Sequence, residues 1–203
     1  MKRIILNIGL FFGLALIISN QAGCTGTSAS QNGPAETGAS TTQAAANPNA
    51  PGGSAAGAPI SEKLAQGEFK NLDGSTFSIA GRNGKVLLIN MWATWCGPCR
   101  SEMPELVKMQ DAHREQGFEV IGLNVDDEGV DAINEFASEM KLNYTLAWAD
   151  MDLQGELLKI SRFDGIPQSF IIDRQGRLRA IFKGAAKGDV QKMGEIVSQI
   201  VSE

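Results

Sequence analysis

Cys96 and Cys99 are separated by two residues in Trp95-Cys96-Gly97-Pro98-Cys99, and paired thiols at that spacing suit thiol-disulfide exchange. One thiolate attacks a substrate disulfide to give a mixed disulfide, and a second thiol close by resolves it. Other uses of such a pair can be tested on the residues. A structural zinc needs four ligands, and beyond the pair the chain offers only Cys24 and His113. Covalent haem attachment needs His directly after the second Cys, where Arg100 stands. Copper delivery stays open as a binding alternative, although it calls for a third soft or imidazole ligand near the thiols.

The elements around the pair must present one thiol and shield the other. The apolar run Val86 to Met91 reads as a fully buried strand, and Pro98 to Glu115 as a helix. Cys96 then sits at a helix start, where unpaired backbone N–H groups and the positive end of the helix dipole favour a thiolate. Cys99, one turn in, is expected to be more shielded. Glu102 follows three residues later, and helical spacing puts it on the face of Cys99. Pro104, within the helix, is expected to kink it. Trp92 and Trp95 divide between core and active-site rim, Trp95 being nearer the rim, and His113 reads as surface.

The remaining segments alternate. Phe69 to Leu72, Asp73-Gly74 and Ser75 to Ile79 read as a hairpin around a two-residue turn. Phe118 to Val125 is a second buried strand after Gly117. Asp127 to Met140 has the three-and-four apolar spacing of an amphipathic helix, with acids in its first turn. Thr145 to Ala149 reads as a short strand and Leu153 to Ile160 as a short helix. A loop from Gly165 then enters a strand ending at Asp173, a turn to Gly176 leads to a strand over Arg177 to Phe182, and Val190 to Val201 closes the chain as a helix. Strands alternating with helices imply an α/β fold with a parallel core, and the terminal hairpin supplies an antiparallel edge.

The N-terminus is different in kind. Lys2 and Arg3 precede an apolar run from Ile4 to Ile18, short for a membrane span but right for the apolar region of a secretory signal; an uncleaved membrane anchor is the alternative. Ala22-Gly23 before Cys24 resembles a bacterial lipoprotein signal, which implies lipid on Cys24; Gln21 departs from the aliphatic residue usual three before that cysteine. The expected organisation is a signal over 1–23, a lipid-anchored flexible linker over 24–59 and a folded domain over 60–203. Thr25 to Pro59 carries one charged residue, Glu36, and no aliphatic side chain larger than Ala, so it cannot build a core. As a flexible tether its root-mean-square reach is about 30 Å. Removing residues 1–23 takes away Lys2 and Arg3 and no acid, so a net charge of −5 becomes −7. That acidity argues against nucleic acid as a partner and against an electrostatic grip on anionic lipid.

Trp92-Ala93-Thr94-Trp95-Cys96-Gly97-Pro98-Cys99-Arg100, with Gly165-Ile166-Pro167 entering a later strand, resembles the thioredoxin superfamily, and within it the TlpA/ResA-like thiol-disulfide oxidoreductases of the cell envelope. The likeness runs from about Glu68 to the C-terminus. It implies a thioredoxin-like fold, a central mixed sheet flanked by helices, with an N-terminal β-hairpin and an added strand-helix unit over Phe118 to Met140. It also implies a cis peptide bond before Pro167, a proline lying against the Cys-x-x-Cys, and substrate backbone paired with Ile166. Trp95, Gly97 and Pro98 would complete the substrate-binding surface. Plain thioredoxins carry a buried Asp where this chain has Asn90; the TlpA/ResA-like proteins use a Glu where Glu102 stands, which gives Glu102 the role of proton acceptor for Cys99.

The expected activity is that of a protein-disulfide oxidoreductase, a monomer without a cofactor, at the periplasmic or extracytoplasmic face of a bacterial envelope. Its expected partners are protein disulfides there, with apocytochrome c thiols as one client class, and a membrane thiol transporter of the CcdA/DsbD kind as electron donor. Gly97-Pro98 is the dipeptide of thioredoxin, whose potential is about −270 mV against about −120 mV for DsbA, and so favours a reductant. A thiol peroxidase on the same fold is the enzymatic alternative; its pattern has Thr three before the reactive Cys and Pro four before that, where this chain has Ala93 and Ile89.

Overall fold

The computed structural model describes residues 57–82 and 84–203. The expected signal, Cys24 and nearly all of the expected linker lie outside the described residues. Ala58 to Ile60, assigned from sequence to the linker and its boundary, are already paired: Leu178 N–H donates to Ala58 O at 2.9 Å and Ile60 N–H to Gly176 O at 3.1 Å. No described helix is long and apolar enough to cross a membrane.

The elements in chain order are α1 (Glu62–Gln66), β1 (Phe69–Asn71), β2 (Thr76–Phe77), β3 (Val86–Trp92), α2 (Gly97–His113), β4 (Phe118–Asn124), α3 (Val130–Met140), β5 (Thr145–Trp148), α4 (Met151–Ser161), β6 (Gln168–Ile172), β7 (Leu178–Lys183) and α5 (Asp189–Val201). One mixed sheet holds all seven strands in the order β2-β1-β5-β4-β3-β6-β7. β3, β4 and β5 run parallel, while β6 and β7 on one side and β1 and β2 on the other are antiparallel to their neighbours. β4, within the stretch expected as an added unit, is the middle strand.

Every residue of β3 is buried because both faces of the sheet are covered, which is why its sequence is an apolar run rather than an alternation. Leu87, Ile89 and Met91 pack with Leu64 of α1 and with Leu153 and Leu157 of α4. Val86 and Leu88 point the other way, to Leu106 of α2 and Met193 and Val197 of α5. Each such aliphatic side chain contributes about 2 kcal/mol on burial. Trp92, fully buried, stacks on Phe136 of α3 at 5.1 Å and belongs to the core rather than the rim.

Two expectations shift in detail. The hairpin pairs Phe69 with Phe77 and Lys70 with Thr76, so its loop is Leu72-Asp73-Gly74, one residue longer than the two-residue Asp-Gly turn. Asn71 N–H donates to Ser75 O at 2.8 Å, and Gly74, at φ +86°, takes the left-handed place that such a three-residue loop needs. The strand expected to reach Ile79 stops at Phe77, and Ala80–Arg82 forms a single 3₁₀ turn.

Candidate active site

β3 ends at Trp92, and four residues later the chain turns into α2. Cys96 caps that helix: its sulfur accepts from Cys99 N–H at 3.2 Å, and Pro98 occupies the first turn, where a missing N–H costs nothing. Cys96 and Cys99 are joined as a disulfide with Cα atoms 5.3 Å apart. They lie at 4% and 0% exposure, the ordering expected of an attacking and a shielded sulfur, while Gly97 and Pro98 between them are exposed. Trp95 is 68% exposed and stands at the rim.

The Ile166-Pro167 peptide bond is cis, as the resemblance implies. Pro167 is buried, and half-buried Ile166 packs against the cluster that contains Cys96, Cys99, Trp92 and Met103. Among the described residues the backbone N–H and C=O of Ile166 have no hydrogen-bond partner.

Glu102 is 3% exposed on the buried side of α2. Its hydrogen bond goes to Asn90 of β3, whose amide donates at 2.6 Å to the carboxylate and at 3.0 Å to Ser169 Oγ of β6. Burial pushes the carboxyl up to about 7; the Asn90 bond works against that rise and the charge of Asp189 at the start of α5 adds to it. Tyr144 beside it is raised as well, by burial and by the charge of Glu102. Gly122 of β4, paired with Asn90, keeps this interior open: a Cβ there would stand 3.0 Å from Trp92 Nε1 and 3.2 Å from the Tyr144 ring.

The sequence alone does not pair Asn90 and Ser169 with Glu102; it shows Asn90 only as the residue standing where plain thioredoxins carry a buried Asp. The signal was present, since Asn90 is the one polar residue between Val86 and Trp92. A buried amide in such a run must find a partner across the core.

A family model described as Redoxin matches residues 50–197. The chain belongs to the Redoxin family. Among curated relatives, this Redoxin chain is 32% identical over 114 residues, 56% of its length, to the thiol-disulfide oxidoreductase ResA of Bacillus thuringiensis subsp. konkukian, and covers 64% of that protein. It is 28% identical over 123 residues, 60% of its length, to ResA of Geobacillus kaustophilus, and covers 68% of it. The chain thus spans less than two thirds of the first of these relatives and slightly more than two thirds of the second. Among solved structures it is similar to a thiol:disulfide interchange protein, described as a thioredoxin family protein, from Chlorobium tepidum TLS. That likeness has a TM-score of 0.58 and 27% identity, covering 73% of this chain and 98% of the other. The mixed sheet, the Cys-x-x-Cys at a helix start and the cis proline of this Redoxin chain are the features of a thioredoxin-like fold.

Proposed function

We propose that this Redoxin-family chain is a thiol-disulfide oxidoreductase that works outside the cytoplasm, tethered to a membrane through lipid on Cys24, and that it reduces disulfides of envelope proteins. The observation that carries the reading is the Cys96–Cys99 disulfide at the start of α2, packed against Ile166 beside the cis peptide, with Glu102 buried behind it.

In the reduced protein, the Cys96 thiolate attacks one sulfur of a substrate disulfide; that S–S bond breaks, a Cys96–substrate bond forms, and the first substrate thiolate leaves and takes a proton. Glu102 then accepts the Cys99 proton, and the Cys99 thiolate attacks Cys96 Sγ. The mixed disulfide breaks, the second substrate thiolate leaves, and the protein ends as the Cys96–Cys99 disulfide with both substrate sulfurs reduced. A carboxyl that titrates at about 7 is matched to this proton transfer near neutral pH. Trp95, Gly97 and Pro98 offer the substrate an exposed surface, and the unpaired backbone of Ile166 offers it hydrogen bonds.

Each turnover consumes the dithiol, so a membrane thiol transporter of the CcdA/DsbD kind returns two electrons; apocytochrome c thiols are a client class. The domain acts as a monomer. Equilibration of the pair with dithiothreitol buffers tests the direction. A potential near about −270 mV is expected, and one near about −120 mV would make the chain an oxidant. Cys99→Ala should strand clients on Cys96 as mixed disulfides; if none accumulates in envelope extracts, protein disulfides are not the substrate.

A further inference from the structure

The segment that carries Ile166 is held by side chains rather than by a backbone ladder. α4 closes at Arg162, whose N–H donates to Leu158 O at 2.7 Å. From Phe163 to Ile166 no backbone–backbone hydrogen bond is made among the described residues. The two ends of the segment are anchored by β7, where Lys183 Nζ donates to Ser161 O at 3.2 Å and, just beyond the strand, Gly184 N–H donates to Pro167 O at 2.9 Å. Phe163 N–H goes to the Ser161 hydroxyl at 3.3 Å. The middle is spanned by Gln168, the residue after the cis proline and the first of β6, which is 1% exposed. Its amide nitrogen donates at 3.0 Å to Phe163 O and at 2.6 Å to Gly165 O. A Cβ at Gly165 would stand 2.8 Å from Phe163 Cζ, so the Phe163 ring lies over Gly165.

That amide has one way to face the turn. Only its nitrogen carries protons, and both go to the two carbonyls, while Gln168 Oε1 has no protein partner among the described residues. A carboxylate at 168 would set acceptors against carbonyl oxygens, and an apolar side chain would leave both carbonyls without this donor. The clamp therefore holds the Ile166 backbone, itself unpaired among the described residues, in one place against the cluster of Cys96 and Cys99 before a client arrives. Backbone ordered at the moment of binding weakens affinity, and backbone ordered beforehand does not. We propose that Gln168 is a positioning residue that pre-orders Ile166, so that the pair selects disulfides carried on an extended polypeptide over small disulfides that have no backbone to pair. This rests on the oxidoreductase reading and adds to it which residue makes the site selective for polypeptide clients.

The test mixes pre-reduced wild type and Gln168→Met, which keeps the side-chain length and removes its donors, with two probes in single turnovers. One probe is an unstructured Gly/Ser-flanked peptide with one internal disulfide, and the other is hydroxyethyl disulfide, which has no peptide group. In Gln168→Met the half-saturating peptide concentration should rise about tenfold with the limiting rate retained, about the factor that ordering one backbone residue at each encounter takes. The ratio of second-order rate constants, peptide over hydroxyethyl disulfide, should fall by the same factor. ¹⁵N relaxation should show the Gly165 and Ile166 amides loosening, from an order parameter of about 0.85 toward about 0.6. An unchanged ratio would overturn the proposal, and so would equal slowing on both probes, which would place the effect at the cysteine pair. A lower ratio with both amides as rigid as in the wild type would overturn it too, because Gln168 would then act on the client directly. Should Gln168→Met not fold, Ser161→Ala, which frees Phe163 N–H, decides: a smaller fall in the ratio is expected, and no fall overturns. If the wild type reduces neither probe, the oxidoreductase reading fails and takes this proposal with it, whereas every other outcome requires a wild type that turns over.

Discussion

Glu102 and Glu119 are both buried, at 3% and 7% exposure, and their surroundings differ in one respect. Glu119, near the start of β4, lies 3.0 Å from Arg82 Nη1 and 2.7 Å from Lys85 Nζ, and accepts from the Thr145 hydroxyl at 2.9 Å. Glu102 has the Asn90 amide and, among the described residues, no cation. A carboxylate between two cations has its charge answered and serves to join β4, β5 and the segment before β3. A carboxyl given one neutral donor is held near neutrality by its own burial and can exchange a proton. Burial alone does not make an acid reactive; burial without a counter-charge does.

The largest effect expected from this difference is on the pH dependence of stability. Glu102 has an ordinary value of 4.5 and stands at about 7 in the fold. Because the folded value is raised, its stabilising share is fully present below about pH 4.5 and is lost as pH rises through about 7, a fall of about 3 kcal/mol. Urea unfolding of the oxidised protein across that window should show the loss, and Glu102→Gln should remove it. Glu119→Gln should leave the slope in place. Equal slopes in wild type and Glu102→Gln would place the titrating group elsewhere.

Next in size is the rate of resolution. In the proposed mechanism Glu102→Gln leaves the Cys99 proton without its acceptor, and release of the second substrate thiol from the mixed disulfide should then slow by about 100-fold at neutral pH, the lower end of general-base effects. The rise in rate through about pH 7 should vanish with it. Stopped-flow measurement of that release separates this step from the first attack, which Cys96 makes without Glu102. A Glu119→Gln protein should resolve at the wild-type rate, and a comparable slowing there would erase the contrast.

Glu119→Gln should act on stability instead, by about 1–2 kcal/mol at neutral pH. The cost is modest because the Arg82 and Lys85 side chains are 23% and 43% exposed and recover water once the carboxylate is gone. Denaturant midpoints at one pH suffice to measure it. A loss above about 4 kcal/mol would mean that the cations are more deeply desolvated than their exposure indicates.

The sequence made the frame of this site readable and left its cross-chain contacts out of view. β3 and most of β4 appear in the sequence as apolar runs because both faces of the sheet are covered, and α2 follows from Pro98 and the spacing after it. Glu102 was legible as a residue on the face of Cys99. The identity of its partner was not, because Asn90 reaches it only when strand and helix pack. Asp126 and Glu128 show this most clearly. Asp127 and Glu128 read from the sequence as first-turn acids of an amphipathic helix, yet α3 begins at Val130, and Asp126 and Glu128 lie in the loop before it, turned back onto Trp95 and Thr94. Only the contact between the ends of β3 and β4 reveals that use. His113, read as surface, is half-buried with its ring edge-on to Phe118, a contact made across α2 and β4.

The smallest effect concerns the field at Glu102 itself. Asp189, the first residue of α5, raises the Glu102 value through its charge, and this is the weakest of the three causes, after burial and the Asn90 bond. Asp189 also accepts from Ala186 N–H at 3.2 Å, a bond that an amide oxygen can keep. Asp189→Asn should therefore lower the Glu102 midpoint slightly without loosening the start of α5, while Asn90→Ala, which removes a donor to the carboxylate, should raise it. The carboxyl carbon of Glu102, followed by NMR against pH, reads both shifts directly. Opposite signs from the two variants are expected of an acid poised between a hydrogen bond and a like charge. If both variants moved the midpoint the same way, the change would come from altered burial, and the contrast with Glu119 would rest on desolvation alone.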